Sequence, residues 1–256
     1  MKRLAFTAII MLIVSLSAAS SPEGQIRDAA ARYNEAGALY SDGRFTEALA
    51  LYEELVESGI ENPDLYYNAS NAAYRTNDLG KAILYLERAK KLAPSDEDIA
   101  ANLAFLNSVK EDREPPESNA VAAFITKLYD GINVNDAALW SALSFALSLL
   151  CATAALFTLS WKRLVLVTMS IALGFCFAAA TGIQLQKLHH ASTTVEAVVM
   201  NDEAPAYSGP GAENTHIFTI HEGMKVVIER SQEGWSLIRL RSGVGGWIRS
   251  GLMEVI

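Results

Sequence analysis

The sequence predicts a multidomain membrane protein: an α-helical repeat solenoid, then a transmembrane helical hairpin, then a small all-β barrel. Three observations carry this expectation. Residues 25–110 repeat themselves at an offset of 34 residues, the runs 137–161 and 164–186 contain no charged residue, and residues 193–256 alternate as short apolar strands between turn-forming groups. The composition suits such a mosaic, since 51% of the 256 residues are hydrophobic and only 20% are charged.

The charge balance excludes a nucleic-acid binder. Residues 21–118 carry 19 acidic and 10 basic side chains and residues 193–256 carry 8 and 5, so neither soluble part offers the basic face that displaces counterions. The only cysteines, Cys151 and Cys176, fall inside the apolar runs, where they read as small hydrophobes and not as a disulfide or a zinc site.

Taken in order, residues 1–20 read as a signal peptide. Met-Lys-Arg precedes an apolar run and the small residues Ser17-Ala18-Ala19, with cleavage expected after Ala19 and retention as an anchor left open. The chain that follows is then expected on the export side of the membrane.

Within 25–110 the matched pairs are Tyr33/Tyr67, Asn34/Asn68, Ala38/Ala72, Tyr40/Tyr74, Ala48/Ala82, Leu49/Ile83 and Tyr52/Leu86, and Asn102 continues the series from Asn68. This divides the region into units at about 29–62 and 63–96 and a capping helix at 97–110. Small residues (Ala36, Ser70, Ala48, Ala82) are expected where paired helices approach. Larger ones (Tyr40, Phe45, Leu49, Tyr52; Tyr74, Leu79, Ile83, Leu86) are expected between the helices, with Gly43 and Asn77 at the tight turns. YNEAGALYSDGRFTEALALYEEL and YYNASNAAYRTNDLGKAILYLERAKKLAPSD resemble tetratricopeptide repeats, which have this period and two helices per unit. The early Trp, Leu and Gly of that pattern are missing, and Ile60 stands where the first unit would carry its Pro.

EDREPPES (111–118) reads as a linker. In residues 119–130, Val121, Phe124, Ile125, Leu128 and Tyr129 share one helical face, expected to lie on the bilayer surface or to pack as a further repeat helix. Each uncharged run is long enough to span about 30 Å of hydrocarbon. Trp140 and Trp161 sit near the ends of the first run, and Lys162 and Arg163 are the only charges between the two. Positive-inside bias places that basic turn in the cytoplasm and both soluble parts outside, in agreement with the signal peptide. The expected location is a bacterial inner membrane, multi-pass, with both soluble domains periplasmic.

Beyond residue 193 the strand candidates are TVEAVVM, HIFTI, MKVVIER, WSLIRLR, GGWIRS and LMEVI. Their order, with AYSGPG ahead and the pairs Gly234-Trp235 and Gly246-Trp247 on two later strands, resembles bacterial SH3-like domains.

No catalytic constellation is present. Ser208-Gly-Pro-Gly lacks phosphate-loop spacing and precedes no helix. His189-His190, His216 and His221 lack ligand spacing to a Cys or carboxylate. Neither enzymatic activity nor a cofactor is expected, which leaves binding surfaces. By resemblance to tetratricopeptide domains, the peptide groove is lined by Tyr33, Asn34 and Tyr40, by Tyr67, Asn68, Asn71, Tyr74 and Arg75, and by Asn102. The Asn series can hold a peptide backbone or only pack and cap between units. Arg75 alone makes a poor clamp for a carboxylate. In the barrel, Tyr207, Trp235 and Trp247 are the candidate ligand face, with Trp247 favoured as a core residue.

The order of parts resembles the BatE proteins of the Bacteroides aerotolerance operon across the whole mature chain. That resemblance implies a non-enzymatic envelope scaffold working with von Willebrand A-domain proteins and, indirectly, a MoxR-type ATPase. Binding of peptidoglycan through the SH3-like domain is the alternative.

Overall fold

The structure is a computed structural model that describes residues 22–113, 120–159 and 161–256; the expected signal peptide and residues 114–118 of the expected linker lie outside the described residues. Among the described residues five helices come first: α1 (Pro22–Ser41), α2 (Phe45–Glu57), α3 (Pro63–Arg75), α4 (Leu79–Leu92) and α5 (Glu97–Val109). Local chemistry starts and stops them. Pro63 opens α3 behind Asn62, whose side chain accepts from the Leu65 amide at 3.0 Å, while Asp78 and Asp96 cap α4 and α5 in the same way. The turns α1–α2 and α3–α4 share one geometry 34 residues apart. Gly43 and Asn77 have φ of 79° and 66°, with closing bonds Arg44 N–H to Leu39 C=O and Asp78 N–H to Ala73 C=O.

The small residues sit where the repeat pattern places them. Ala36, Ala48 and Ala82 have no exposed surface, and the buried Ser70 hydroxyl donates to the Ala82 carbonyl at 2.7 Å. Leu49, Tyr52, Ile83 and Leu86 fill the space between helices. Tyr74 departs from the expectation: it faces outward and is 41% exposed.

Helix α6 (Ala120–Asp130) precedes α7 (Val134–Leu156) and α8 (Trp161–Thr193), of 23 and 33 residues, both long and apolar enough to cross a membrane. The boundaries differ from the sequence expectation. α7 ends at Leu156, so Trp161 opens the second helix instead of closing the first, and Lys162 and Arg163 occupy the first turn of α8 beyond the connection. The two helices are pinned by hydroxyls. Ser148 Oγ donates to the Ser170 carbonyl at 2.9 Å, Ser170 Oγ donates back to the Ser148 carbonyl at 3.0 Å, and Ser141 meets Thr181 at 3.1 Å. No residue of α8 is buried, leaving its apolar surface outward.

Only Thr194 separates α8 from the first of seven strands: β1 (Val195–Val199), β2 (Glu203–Tyr207), β3 (His216–His221), β4 (Lys225–Gln232), β5 (Trp235–Arg239), β6 (Gly245–Arg249) and β7 (Met253–Val255). They pair antiparallel in the order β3-β2-β6-β5-β4-β1-β7. The end strands β3 and β7 are not paired with each other among the described residues, so the sheet is open where a closed barrel was expected. Strand β2 is not among the strands expected from the sequence, and it carries Pro205. It tolerates the proline because it meets β6 only at Tyr207–Trp247, which leaves Pro205 paired on one side alone.

The sheet packs on the outer surface of α4. Val198 is fully buried in the helical core, and Gly80 lies so close that an added Cβ would stand 3.1 Å from the Val199 carbonyl oxygen. Polar bonds ring this contact. Arg88 donates to Glu254 Oε1 at 2.9 Å and to the Val255 carbonyl at 2.6 Å, and Lys91 donates to the Ile256 carbonyl at 2.9 Å. Lys225 Nζ sits 3.0 Å from both Glu87 and Glu196.

Candidate functional site

The uncovered side of the helical array is formed by α1, α3 and α5, and three contacts run across it. Asn68 Nδ2 donates to the Tyr33 hydroxyl at 2.7 Å, Asn102 Nδ2 donates to Asn71 Oδ1 at 3.4 Å, and the Tyr74 and Phe105 rings meet edge-on at 5.5 Å. The 34-residue period brings these residues together by setting successive inner helices side by side, with matching positions facing the same space.

The first two contacts put part of the Asn series in bonds between the helices. Each carboxamide has two N–H donors and an oxygen, so Asn68 and Asn102 retain capacity toward a ligand after spending one donor. The Tyr33 hydroxyl is held above its usual pKa by burial and by the nearby Asp64 carboxylate, against a smaller opposing effect of the Asn68 bond. It therefore stays protonated and can donate. Behind it, the Tyr52 ring meets Tyr33 edge-on at 5.9 Å, and burial pushes its hydroxyl up to about 12.

The remaining expected groove residues divide. Tyr67 is half-buried and Asn34 is exposed. Tyr40 stacks edge-on against Phe45 at 5.1 Å. The Arg75 guanidinium lies 4.0 Å over the same Phe45 ring, beside a shallow depression of about 270 Å³ lined by Gly43, Arg44, Thr46 and Glu47. Arg75 thus stands at the turn end of the array. Phe105, which the sequence reading missed, is 48% exposed and with Tyr74 makes the largest outward aromatic surface here. Its signal was the i+3 spacing from Asn102, which puts both on one face of α5.

On the sheet, Tyr207, Trp235, Trp247 and Arg249 share a face through the pairs Tyr207–Trp247 and Trp235–Arg249. Trp247 is only 6% exposed and lies under the Arg230 guanidinium at 5.0 Å. The accessible part is Trp235, with Tyr207 edge-on at 5.7 Å and Arg249 over the indole at 5.7 Å, while His216 meets the Tyr207 ring at 5.9 Å. Sequence reading had not joined His216 or Arg249 to this cluster.

His221 is engaged elsewhere. Its backbone N–H donates to Asp112 Oδ2 at 2.6 Å, its Nδ1 is 3.2 Å from Asp112 Oδ1, and its Nε2 is 3.5 Å from Glu111. The hydrogen bond to Asp112 raises the imidazole pKa, against a partial desolvation effect, and the Asp112, Glu111 and Glu203 charges act in the same direction.

A tetratricopeptide-repeat family model matches residues 23–63 and again 33–97. The match spans α1 to α4, a region that is thus similar to tetratricopeptide repeats. None of the curated proteins matches the chain. Tetratricopeptide repeats are in general protein-interaction modules, which points to protein partners for this region. The sheet occupies the outer surface of α4 and leaves the inner face of the tetratricopeptide array open.

Proposed function

We propose that the protein is a non-enzymatic, membrane-anchored scaffold, which presents its tetratricopeptide groove and an SH3-like module on the periplasmic side of a bacterial inner membrane. The observation that carries this reading is the division of the array's two surfaces. The outer face of α4 is spent on the sheet, while the inner face keeps Tyr74, Phe105 and the Asn series accessible. The outward apolar surfaces of α7 and α8 support insertion, since water would be a poor solvent for them. Lys162 and Arg163 at the start of α8 support a cytoplasmic connection, with both soluble parts on the other side. By resemblance to BatE proteins, the partners are membrane or periplasmic proteins of an aerotolerance or envelope-stress complex. Von Willebrand A-domain proteins are the direct candidates and a MoxR-type ATPase an indirect one.

The packed sheet changes how the two modules cooperate. They are fixed to each other, so a partner that touches both meets one continuous surface and not two tethered sites. The test is site-specific photo-cross-linking in the membrane-embedded full chain, with the photoreactive residue at Tyr74 or Phe105 and, as control, at the sheet-facing Glu87. Capture of a membrane or periplasmic protein from the first two positions only is the expected outcome. Equal capture from all three positions, or from none, would remove the groove reading.

A second reading has its own observation. The Tyr207–Trp235–Arg249 cluster combines flat aromatic surface with a cation, a combination suited to cell-wall glycan and peptide. Sedimentation of the detergent-solubilised protein with purified sacculi, compared with Trp235→Ala, tests it.

A further inference from the structure

Helix α6 exposes the apolar face that its sequence builds. Phe124, Ile125 and Leu128 lie on one side of the helix and are 62%, 60% and 56% exposed, although each is large enough to favour burial strongly. The repeat array does not cover them, since all three stay exposed beside it.

Three neighbours fix the level at which this face lies. Asn133 caps α7 through a 3.0 Å bond from the Asn135 amide and donates to the Leu92 carbonyl at 3.0 Å, so the last turn of α4 is bonded to the start of the first apolar helix. The Tyr129 ring, one residue before the end of α6, lies 4.4 Å from Lys187 Nζ, directly after the uncharged run of α8. Lys187 also feels the carboxylate of Asp130 at the end of α6 and, more weakly, the ammonium of Lys90 in α4. An aromatic ring and two ammonium groups gathered where apolar helices begin and end mark an interface with lipid headgroups. The one acidic residue of the helix AVAAFITKLYD is its last, Asp130, whose charge is offset by Lys187.

We propose that α6 is a membrane-surface helix: its Phe124, Ile125 and Leu128 side chains are seated at the headgroup–acyl boundary of the bilayer that α7 and α8 enter, and it holds the repeat array down on that surface. The inference rests on the reading of α7 and α8 as membrane-spanning. An apolar stripe of this kind inserts shallowly and in the plane of the interface.

The test is spin-label power saturation of the full-length protein in phosphatidylcholine–phosphatidylglycerol nanodiscs, with Cys151 and Cys176 replaced by Ala. Single labels are placed by Phe124→Cys or Leu128→Cys, by Leu147→Cys in the middle of α7, and by Thr46→Cys at the exposed start of α2. The expected result is an oxygen-to-nickel collision ratio at residues 124 and 128 several-fold above that at residue 46 and below that at residue 147. Adding Ile125→Asp is expected to return the residue 128 label to the aqueous value. An aqueous ratio at residues 124 and 128, with residue 147 in lipid, overturns the proposal alone. An aqueous ratio at residue 147 overturns the membrane reading and this inference with it. A label at residue 124 shielded from both reagents shows that protein covers the helix, and overturns the proposal as well.

Discussion

The Asn68 carboxamide and the Tyr33 hydroxyl, 2.7 Å apart, join α3 to α1 across the groove. The repeat places them at non-equivalent positions, since Tyr33 corresponds to Tyr67 and Asn34 to Asn68. The bond therefore crosses from one position of the first unit to the next position of the second. Asn68→Ala leaves a half-buried phenol without its donor, at an expected cost of about 1–2 kcal/mol, and Tyr33→Phe is expected to cost about 1 kcal/mol. Urea denaturation of the full chain in detergent, followed by circular dichroism, measures both. The double variant should lose clearly less than the sum; strict additivity would mean that the bond contributes nothing.

Lys225 holds two carboxylates together at the contact between repeats and sheet. Burial alone would lower its pKa, but Glu87 and Glu196 outweigh that and keep it above the usual lysine value. The ammonium is thus fully charged at neutral pH, and its contribution fades only as pH rises through that elevated value. Lys225→Met leaves Glu87 facing Glu196. With the Lys225 side chain 30% exposed, the expected loss is about 1–3 kcal/mol, between surface and fully buried ion pairs. Hydrogen exchange should speed up first in α4 and β1, and Glu87→Gln in the same chain should restore part of the protection.

His221 predicts a pH dependence of a second contact, between β3 and the segment after α5. Its pKa is raised in the folded protein, chiefly by Asp112, so its contribution is complete below the unfolded value near 6.5 and is lost as pH rises through the folded value. Thermal melts across pH 5–9 should show the native chain losing stability, relative to Asp112→Asn, as pH rises past the folded His221 value. The amide of that variant still accepts from the His221 backbone, so the comparison isolates charge. A pH-independent difference between the two proteins would remove His221 as its source.

The reciprocal Ser148–Ser170 bonds predict a modest clamp between α7 and α8. Replacing both residues by Ala should weaken the hairpin by about 1 kcal/mol in a detergent unfolding assay, in line with hydroxyl pairs between apolar helices. No change would mean that packing of Phe145 against Phe177, at 5.2 Å, is sufficient.

The repeats were legible because a 34-residue period leaves its mark at positions with strict demands: buried Ala48 and Ala82, and positive φ at Gly43 and Asn77. Most of the strands were legible from alternation; β2 was not among them, because EAPAY has no β-branched residue and carries a proline. The docking of the sheet on α4 was not legible. Its bonds link residues as far apart as Arg88 and Glu254, 166 positions, and no local pattern marks such partners. In the groove, sequence placed Asn68, Asn71 and Asn102 on the inner face but did not show that Asn68 bonds Tyr33 or that Asn71 and Asn102 bond each other.

Thr194 is the whole connection between α8 and β1. A single residue gives almost no slack, so the 33-residue helix works as a shaft: if it turns or slides along its axis, the sheet follows, and α4 follows the sheet. An array mounted this way keeps a set bearing on that helix, so anything that grips both meets them at one fixed spacing.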